Sequence, residues 1–256
     1  MRYMESEISR ICDGNVPQTT EVLGCLLSAV QSFRTGFDLK CLKSNLELRY
    51  DDLRRLGAGG FLNDEVMNYF LQKWSAKSAV LAMNTFFTTR FLFKDSRIHI
   101  VKSHFDASAT KSIAGWIRKR IETLKLRARW RHVFIPIHNA EKSHWYSATI
   151  DFVNRRIAVW DSWEATHSQN QCKPLRSQQH VPILLAVMWV AELIAQVRGE
   201  SLVLANNPTS EWDFEPHAKT NFQVNGADCG VHVLWHLKRL IEADAVDAVL
   251  GDIETL

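Results

Sequence analysis

Residues 132–160 read HVFIPIHNAEKSHWYSATIDFVNRRIAVW and contain three strand-like runs, over 132–137, 145–151 and 156–160. The runs are rich in β-branched and aromatic residues, as strands usually are. The dipeptide Asn154-Arg155 separates the last two runs, which indicates a hairpin turn. We therefore predict antiparallel strands in the middle of the chain.

Helical patterns flank these strands. We predict one helix from an N-cap at Asn63 or Asp64 to Trp74, and others over 111–131, 182–197 and 229–243. Other patterns favour a short helix over 21–33, strands over 46–50 and 201–205, a glycine turn over 57–60, and a strand or buried helix over 84–93. Central antiparallel strands with helices at both ends indicate an α+β fold.

The composition is that of a globular protein. Of 256 residues, 46% are hydrophobic and 23% are charged, which excludes a disordered or fibrous chain. The net charge of +3 is too small to argue for a nucleic-acid or membrane partner. The longest apolar run, 183–191, is far shorter than the roughly 20 residues that cross a bilayer.

The cysteines are odd in number and scattered. The chain holds Cys12, Cys25, Cys41, Cys172 and Cys229, with no CxxC pair. Such a set does not form a disulfide framework and is typical of a reducing compartment. Glu5 and Glu7 occupy the region where a signal peptide carries basic residues. We therefore expect a soluble intracellular protein with at least one free thiol.

Cys229 is the candidate nucleophile. A turn, QVNGADCG over 223–230, leads directly into an apolar-periodic helix and places Cys229 at its N-terminus. The unpaired N–H groups and the positive end of the helix dipole favour a thiolate there. A lone cysteine is nevertheless more often a buried apolar residue, so the hypothesis requires a base nearby.

His144 and Asp161 are the candidate base and its orienting acid. If the hairpin turns near 152–154, the two residues lie opposite each other or nearly so on paired strands. A carboxylate there fixes the imidazole tautomer, and an oriented imidazole activates a cysteine. Gln223, together with the Cys229 backbone N–H, is placed to hold a developing oxyanion. The alternatives are a solvated glutamine, an exposed histidine and a turn aspartate.

Five strings carry a resemblance to a known family. They are FLNDEVMNYFL (61–71), NTFF (84–87), IPIHNAEKSHWYSATID (135–151), VWDSW (159–163) and QVNGADCGVHV (223–233). In order and spacing over about residues 44–245 they resemble the Ulp/sentrin proteases, cysteine peptidases that process and deconjugate SUMO. The resemblance implies a papain-like α+β fold with the nucleophile at the N-terminus of a central helix, against a small mixed or antiparallel sheet.

The same resemblance implies domain limits and roles. Residues 44–256 form the catalytic domain, and 1–43 are an N-terminal extension of unknown role. His144 matches the family's base, Asp161 its orienting acid, Cys229 its nucleophile and Gln223 its oxyanion-hole residue.

Substrate contacts follow from the resemblance as well. Trp145 matches the tryptophan that roofs a narrow channel for the substrate's Gly-Gly tail. Phe61, Asn63 and Asp64 of the FLND segment are expected to contact the modifier. Phe61 stands where the family usually has a second tryptophan, which leaves the choice of modifier open.

The expected activity is cleavage after the C-terminal Gly-Gly of a ubiquitin-like modifier, with SUMO preferred. We expect a monomer in the nucleus, the cytoplasm or both, with no cofactor, metal, membrane or nucleic-acid partner. The alternatives are a deubiquitinase or deneddylase of the same fold, a related His-Asp-Cys acyltransferase, and a module that binds a modifier without efficient cleavage.

Two other patterns allow further interpretations. Cys229, His232 and His236 share one helix face and could ligate zinc, although no fourth ligand is apparent. The basic stretch 111–131, with Trp116 and Trp130, favours a solvated helix face over an acidic-protein site, and either of these over a nucleic-acid site.

Overall fold

A mixed five-stranded sheet runs through the computed structural model of the chain. Its strands are β1 (Val80–Ala82), β2 (His132–Asn139), β3 (His144–Asp151), β4 (Arg156–Trp160) and β5 (Asp213–Ala218). They lie side by side in chain order; β2, β3 and β4 are antiparallel, whereas β1 and β5 join the edges in parallel. The structure describes residues 52, 55–57, 59–94, 100–102, 105–126, 130–204, 207 and 209–254, with only the backbone from 246 onward.

Helices cover both faces of this sheet. They are α1 (Asp64–Ser75), α2 (Ala107–Leu124), α3 (Glu164–Gln171), α4 (Val181–Val197) and α5 (Cys229–Glu254). A π-helical turn, Thr88–Leu92, and a 3-10 turn, Leu175–Ser177, complete the described elements. The predicted α+β class is confirmed.

The sheet separates two hydrophobic cores, because alternate residues of a strand point to opposite faces. Val133, Ile135 and Ile137 of β2 belong to the core that α2 and α4 cover. Phe134 of β2 and Trp145 of β3 belong to the core that α1 and α5 cover. The helix that begins with Cys229 therefore packs on the opposite face from α4.

The β3–β4 hairpin sets the position of Asp161. Ser147 pairs with Trp160 and Asp151 with Arg156. The Asp151 carboxylate accepts the backbone N–H groups of Val153 and Asn154, each at 2.9 Å, and this holds the turn. Asp161 follows the last residue of β4 and is offset by two positions from the point opposite His144. An offset of two keeps both side chains on one face.

Several predicted elements are confirmed and one is wrong. The three central strands, the glycine turn and the four long helices occur, and α5 continues to Glu254. The helix predicted over 111–131 is shifted: α2 begins at Ala107 and ends at Leu124, short of the predicted end. The strand predicted over 201–205 is wrong, since 201–204 join no ladder. The Leu204 N–H instead donates to the Glu192 side chain of α4 at 2.6 Å, and β5 pairs with β4.

Local chemistry explains the helix boundaries. Asn63, not Asp64, is the N-cap of α1, because its side chain accepts the Val66 N–H at 3.1 Å. Asp106 caps α2 by accepting the Ala109 N–H at 2.7 Å. Lys125 then ends α2 in a left-handed conformation, with φ of 49°.

The basic stretch is mostly a solvated helix face. Lys111, Arg118 and Lys119 are exposed. Two arginines differ. Arg120 is buried, and its Nε donates to the Ala82 carbonyl of β1 at 2.7 Å. Arg131 is half-buried and forms an ion pair with Asp244 at 2.8 Å. Burial lowers the pKa of Arg120 to about 10. Trp116 and Trp130 pack against the core that α2 and α4 cover, so their rings serve packing.

Other predictions fall outside the described residues. They concern the extension 1–43, the helix over 21–33, the strand over 46–50, and Cys12, Cys25 and Cys41. Of the two described cysteines, Cys172 is exposed and Cys229 is buried, and both are free thiols. Among the helices of the described residues, none has the length and apolar character needed to cross a membrane.

Candidate active site

His144 begins strand β3 and faces Asp161 just beyond the end of β4. Its Nε2 lies 2.7 Å from the Asp161 Oδ1. A carboxylate only accepts hydrogen bonds, so the His144 Nε2 carries the hydrogen and its Nδ1 is turned away from the acid. The predicted pair is therefore in direct contact, with the imidazole tautomer fixed.

Asp161 is 1% exposed and is surrounded by donors. Besides His144, the Trp163 backbone N–H donates to Oδ1 at 2.9 Å, and the His180 Nε2 donates to Oδ2 at 2.9 Å. Burial opposes ionisation, but the hydrogen bonds from His144 and His180 outweigh it and hold the pKa of Asp161 well below its usual range. The acid is thus a carboxylate throughout the neutral range.

Cys229 is the first residue of α5, and the turn before it is held by Asn225. The Asn225 Oδ1 accepts the backbone N–H groups of Ala227 and Asp228 at 2.9 and 3.0 Å. Its Nδ2 donates to the Asp228 carboxylate at 2.6 Å. Cys229 itself is 1% exposed and lies in the core formed with Leu62 and Trp145. This rigid turn fixes where the helix begins and where the thiol lies.

His144 bridges the acid and the thiol. Burial lowers the pKa of His144, but hydrogen bonds to Asp161 and to the Cys229 side chain outweigh it and raise the pKa to about 9. A cysteine at a helix N-terminus, beside a histidine that favours its protonated form, is the arrangement of a thiolate–imidazolium pair. The three residues come from three separated segments, and the fold brings them into one chain of contacts.

Gln223 is held by Ser162, the residue after Asp161. The Ser162 hydroxyl donates to the Gln223 Oε1 at 2.7 Å, and the Gln223 backbone N–H donates to the Ser162 carbonyl at 2.9 Å. The Gln223 Nε2 donates to the Asn225 carbonyl at 2.7 Å. An amide nitrogen carries two hydrogens, so one N–H remains for a developing oxyanion.

The four predicted modifier contacts differ in exposure. Phe61 is 43% exposed, whereas Trp145 is buried, stacks on His138 with centroids 4.3 Å apart, and donates to the Leu62 carbonyl at 2.8 Å. Asn63 is half-buried as the α1 cap and donates to the Asp52 carboxylate at 2.7 Å. Asp64 is half-buried. Burial lowers the pKa of His138 below its usual value, and the nearby Asp64 carboxylate offsets part of that lowering.

Sequence reasoning did not identify two buried histidines beside Asp161. His180 precedes α4, and His217 lies on β5, where its Nε2 meets the Asp161 carbonyl at 3.2 Å. The Asn170 amide bonds to the His217 Nδ1 at 2.9 Å. The sequence does show that His180 precedes the helix with Pro182 in its first turn. It does not show the contact with Asp161, which lies 19 residues earlier in the chain.

The same cluster contains side chains of the types that ligate metals. Among the described residues, donor atoms of Asp161, His180 and His217 are the one such group within 4.8 Å of one another. Most of these atoms are occupied: the His180 and His217 Nε2 atoms contact the Asp161 carboxylate and carbonyl, and the His217 Nδ1 contacts the Asn170 amide. The His180 Nδ1 has no hydrogen-bond partner among the described residues. Cys229, His232 and His236 form no such group; the His236 Nδ1 contacts the Ser147 hydroxyl at 3.1 Å instead.

A cavity of about 430 Å³ opens beside His144. Asp161 and His180 line its floor, and Lys142, Trp163 and Thr166 contribute to its walls. The Trp163 ring meets the His144 imidazole edge-on, with centroids 5.7 Å apart. The cavity thus lies on the side of the base and its acid, and neither Cys229 nor Gln223 lines it.

The sequence profile described as the Ulp1 protease family, C-terminal catalytic domain, matches residues 60–250. The chain belongs to the Ulp1 protease family. This family consists of cysteine proteases, so the chain is a hydrolase with the catalytic-domain fold of the family, and the resemblance drawn from the five strings is confirmed. Comparison with curated protein sequences gives no match.

Solved structures of the Ulp1 family share the fold. One is the C-terminal Ulp1 protease domain in complex with Smt3, the yeast ortholog of SUMO; it is 20% identical, with a TM-score of 0.51 over 75% of this chain and 71% of that chain. Another is the SUMO protease Ulp1 with its catalytic cysteine oxidised to a sulfinic acid. It is 18% identical, with a TM-score of 0.53 over 90% of this chain and 84% of that chain.

Proposed function

We propose that this chain is a thiol peptidase and isopeptidase that cleaves after the C-terminal Gly-Gly of SUMO. The observation that carries the proposal is His144, which contacts the Asp161 carboxylate on one side and the Cys229 thiol on the other. Family membership supports a cysteine protease mechanism. The related Ulp1 domain in complex with Smt3 supports SUMO as the modifier.

The geometry supports the following sequence of steps. The Cys229 thiolate attacks the carbonyl carbon of the terminal glycine, while the Gln223 amide and the Cys229 backbone N–H hold the oxyanion. Protonated His144 gives its proton to the leaving amine, and the C–N bond breaks to leave a thioester on Cys229. His144 then takes a proton from water, which hydrolyses the thioester and restores the thiol. Asp161 keeps the imidazole in the required tautomer throughout.

The tail of a modifier reaches the buried thiol only if it is narrow. Cys229 is 1% exposed and lies among Leu62 and Trp145. Glycine has no Cβ, so a Gly-Gly tail passes where other residues would collide. Phe61 and Trp145 are proposed to line this passage, with Asn63 and Asp64 at its outer end. Because Phe61 replaces a larger indole, it is the residue we propose to adjust modifier preference.

A panel of modifiers with C-terminal electrophiles tests this proposal. SUMO, ubiquitin and neddylation-modifier probes are incubated with the full chain, and the labelled residue is located by mass spectrometry. We expect covalent labelling of Cys229 by the SUMO probe and none in Cys229→Ala. Labelling by ubiquitin alone would overturn the SUMO assignment, and acetyl transfer from acetyl-CoA without any probe labelling would overturn the peptidase assignment.

Site variants test the assigned roles with a SUMO fusion substrate. Cys229→Ala should lower kcat by about a millionfold or to below detection, and His144→Ala should do the same. Asp161→Asn should cost less than either, because it disturbs only orientation and charge. Turnover retained in Cys229→Ala would disprove the mechanism.

The location and assembly of the chain are also proposed. The cytoplasm and the nucleus keep thiols reduced, which suits a catalytic cysteine, so we propose the nucleus, the cytoplasm or both. We propose that the chain acts as a monomer on the modifier and its conjugates. Imaging of a tagged full chain and its sedimentation in solution test these two points.

A further inference from the structure

His180 lies on the far side of Asp161 from His144. It immediately precedes α4 and is 2% exposed. Its Nε2 is 2.9 Å from the Asp161 Oδ2, and its ring packs against Tyr146 and His217, with centroid distances of 4.8 and 5.1 Å. The acid is therefore held between two imidazoles, one on each oxygen.

The donors to Asp161 lie on both of its oxygens. The His144 Nε2 and the Trp163 backbone N–H donate to Oδ1, whereas the His180 Nε2 donates to Oδ2. Rotation about the Cβ–Cγ bond moves both oxygens, so the bond from His180 adds a restraint on the carboxylate plane from the side opposite His144.

Burying a histidine at position 180 has a desolvation cost that an apolar residue of similar size would avoid. The His180 Nδ1 is buried and has no hydrogen-bond partner among the described residues. A phenylalanine would pack on Tyr146 and His217 without burying that nitrogen, but it would leave the Asp161 Oδ2 without a donor. The polar character of His180 thus serves the carboxylate rather than the packing.

We propose that His180 is a positioning residue of the cysteine protease, which sets the plane of the Asp161 carboxylate and through it the orientation of His144. The inference rests on the proposed function only for the identity of the substrate, since the Asp161–His144–Cys229 contacts exist without one. Without the His180 donor, the carboxylate is held through Oδ1 alone, so its orientation toward His144 is less restrained and its hold on the imidazolium weakens.

Several titratable groups face this position. His144 and Tyr146 come from β3, His217 from β5 and His167 from α3, in addition to Asp161 itself. His167 contacts the His217 ring at 5.0 Å and has no contact with Asp161. His167 is half-buried and therefore supplies a control histidine at the edge of the same cluster.

The test compares His180→Phe, which removes the donor, with His180→Gln, whose amide N–H reaches the same oxygen, and with His167→Phe as control. We expect His180→Phe to lower kcat/KM on the SUMO fusion by about ten- to hundredfold through kcat, because a misplacement of about 1 Å in a catalytic group can cost about a hundredfold in rate. His180→Gln should recover most of the loss, and His167→Phe should match the parent.

A second readout needs no modifier. Carboxymethylation of Cys229 by iodoacetate, followed site by site by mass spectrometry, depends on the neighbouring imidazolium and falls as His144 deprotonates. In His180→Phe this fall should move to lower pH, whereas a residue that only supports the fold would leave it in place. A fall that stays at the parental pH in folded His180→Phe would overturn the inference, even if SUMO proved not to be the substrate.

The coupling to Asp161 gives a third check. If His180 acts through Asp161, the His180→Phe change should add no further loss of kcat in the Asp161→Asn background. Full additivity of the two losses would show that His180 acts elsewhere and would overturn the inference.

Discussion

The indole Nε1 of Trp145 donates to the carbonyl oxygen of Leu62 at 2.8 Å, and both residues are buried. This bond joins strand β3, which carries His144, to the segment that leads into α1. The segment also contacts the residue after Cys229, because Leu62 packs at Gly230. Leu62 therefore contacts the residue next to the base and the residue next to the nucleophile, and it helps to hold their relative positions.

The first prediction concerns Trp145. Trp145→Phe keeps an aromatic ring but leaves the buried Leu62 carbonyl without its donor, which should lower the free energy of unfolding by about 1–3 kcal/mol. Equilibrium denaturation in urea measures the change. Trp74→Phe, in a partly buried ring of the same core, is the control for lost indole area. Equal losses in the two variants would show that the hydrogen bond contributes nothing.

The second prediction concerns Gly230. A Cβ there would lie 2.9 Å from the Leu62 Cβ, so Gly230→Ala forces the start of α5 away from the FLND segment. We expect kcat/KM to fall by at least about tenfold, since small displacements of a nucleophile are costly. Gly226→Ala, in the same turn with no atom within 4 Å, is the matched control and should retain activity. Parental kinetics in Gly230→Ala would contradict the role of this contact.

The third prediction concerns pH. The pKa of His144 is raised to about 9, so the imidazolium is present below that pH and is lost above it. We expect kcat/KM to decline as the pH rises through about 9. In Asp161→Asn the decline should move to lower pH, because the contacts that raise the pKa of His144 are weakened. A decline that the Asp161→Asn change leaves in place would refute the assigned pairing.

The fourth prediction separates two roles of Gln223. Gln223→Ala should lower kcat by about a hundred- to thousandfold, as expected for loss of an oxyanion donor. Gln223→Glu keeps an oxygen that accepts the Ser162 hydroxyl but places a negative charge near the oxyanion. It should be at least as slow as Gln223→Ala. If Gln223→Glu were fully active, the residue would serve only to hold Ser162.

Local patterns in the sequence predict much of the fold. The hairpin 144–160 was predictable because Asn154-Arg155 separates two alternating runs, and the α4 start because Pro182 occupies its first turn. β1 and β5 were missed for a different reason. They are short edge strands that pair in parallel with distant segments, and no local signal reports such pairing.

The candidate site divides in the same way. The His144–Asp161 contact follows from hairpin register, and the position of Cys229 follows from the turn before α5. His180 and His217 reach Asp161 only through tertiary packing of α4 and β5 on β4. The strand predicted over 201–205 is wrong, and no local pattern shows that the Leu204 N–H donates to the Glu192 side chain of α4.

The two edges of the sheet have a consequence for self-association. β1 is only three residues long and is buried, and β5 carries Pro216, which cannot donate to a ladder. Long, flat edges invite unrelated chains to add as further strands, and short or proline-containing edges resist it. The described sheet therefore offers a poor template for strand addition by another chain.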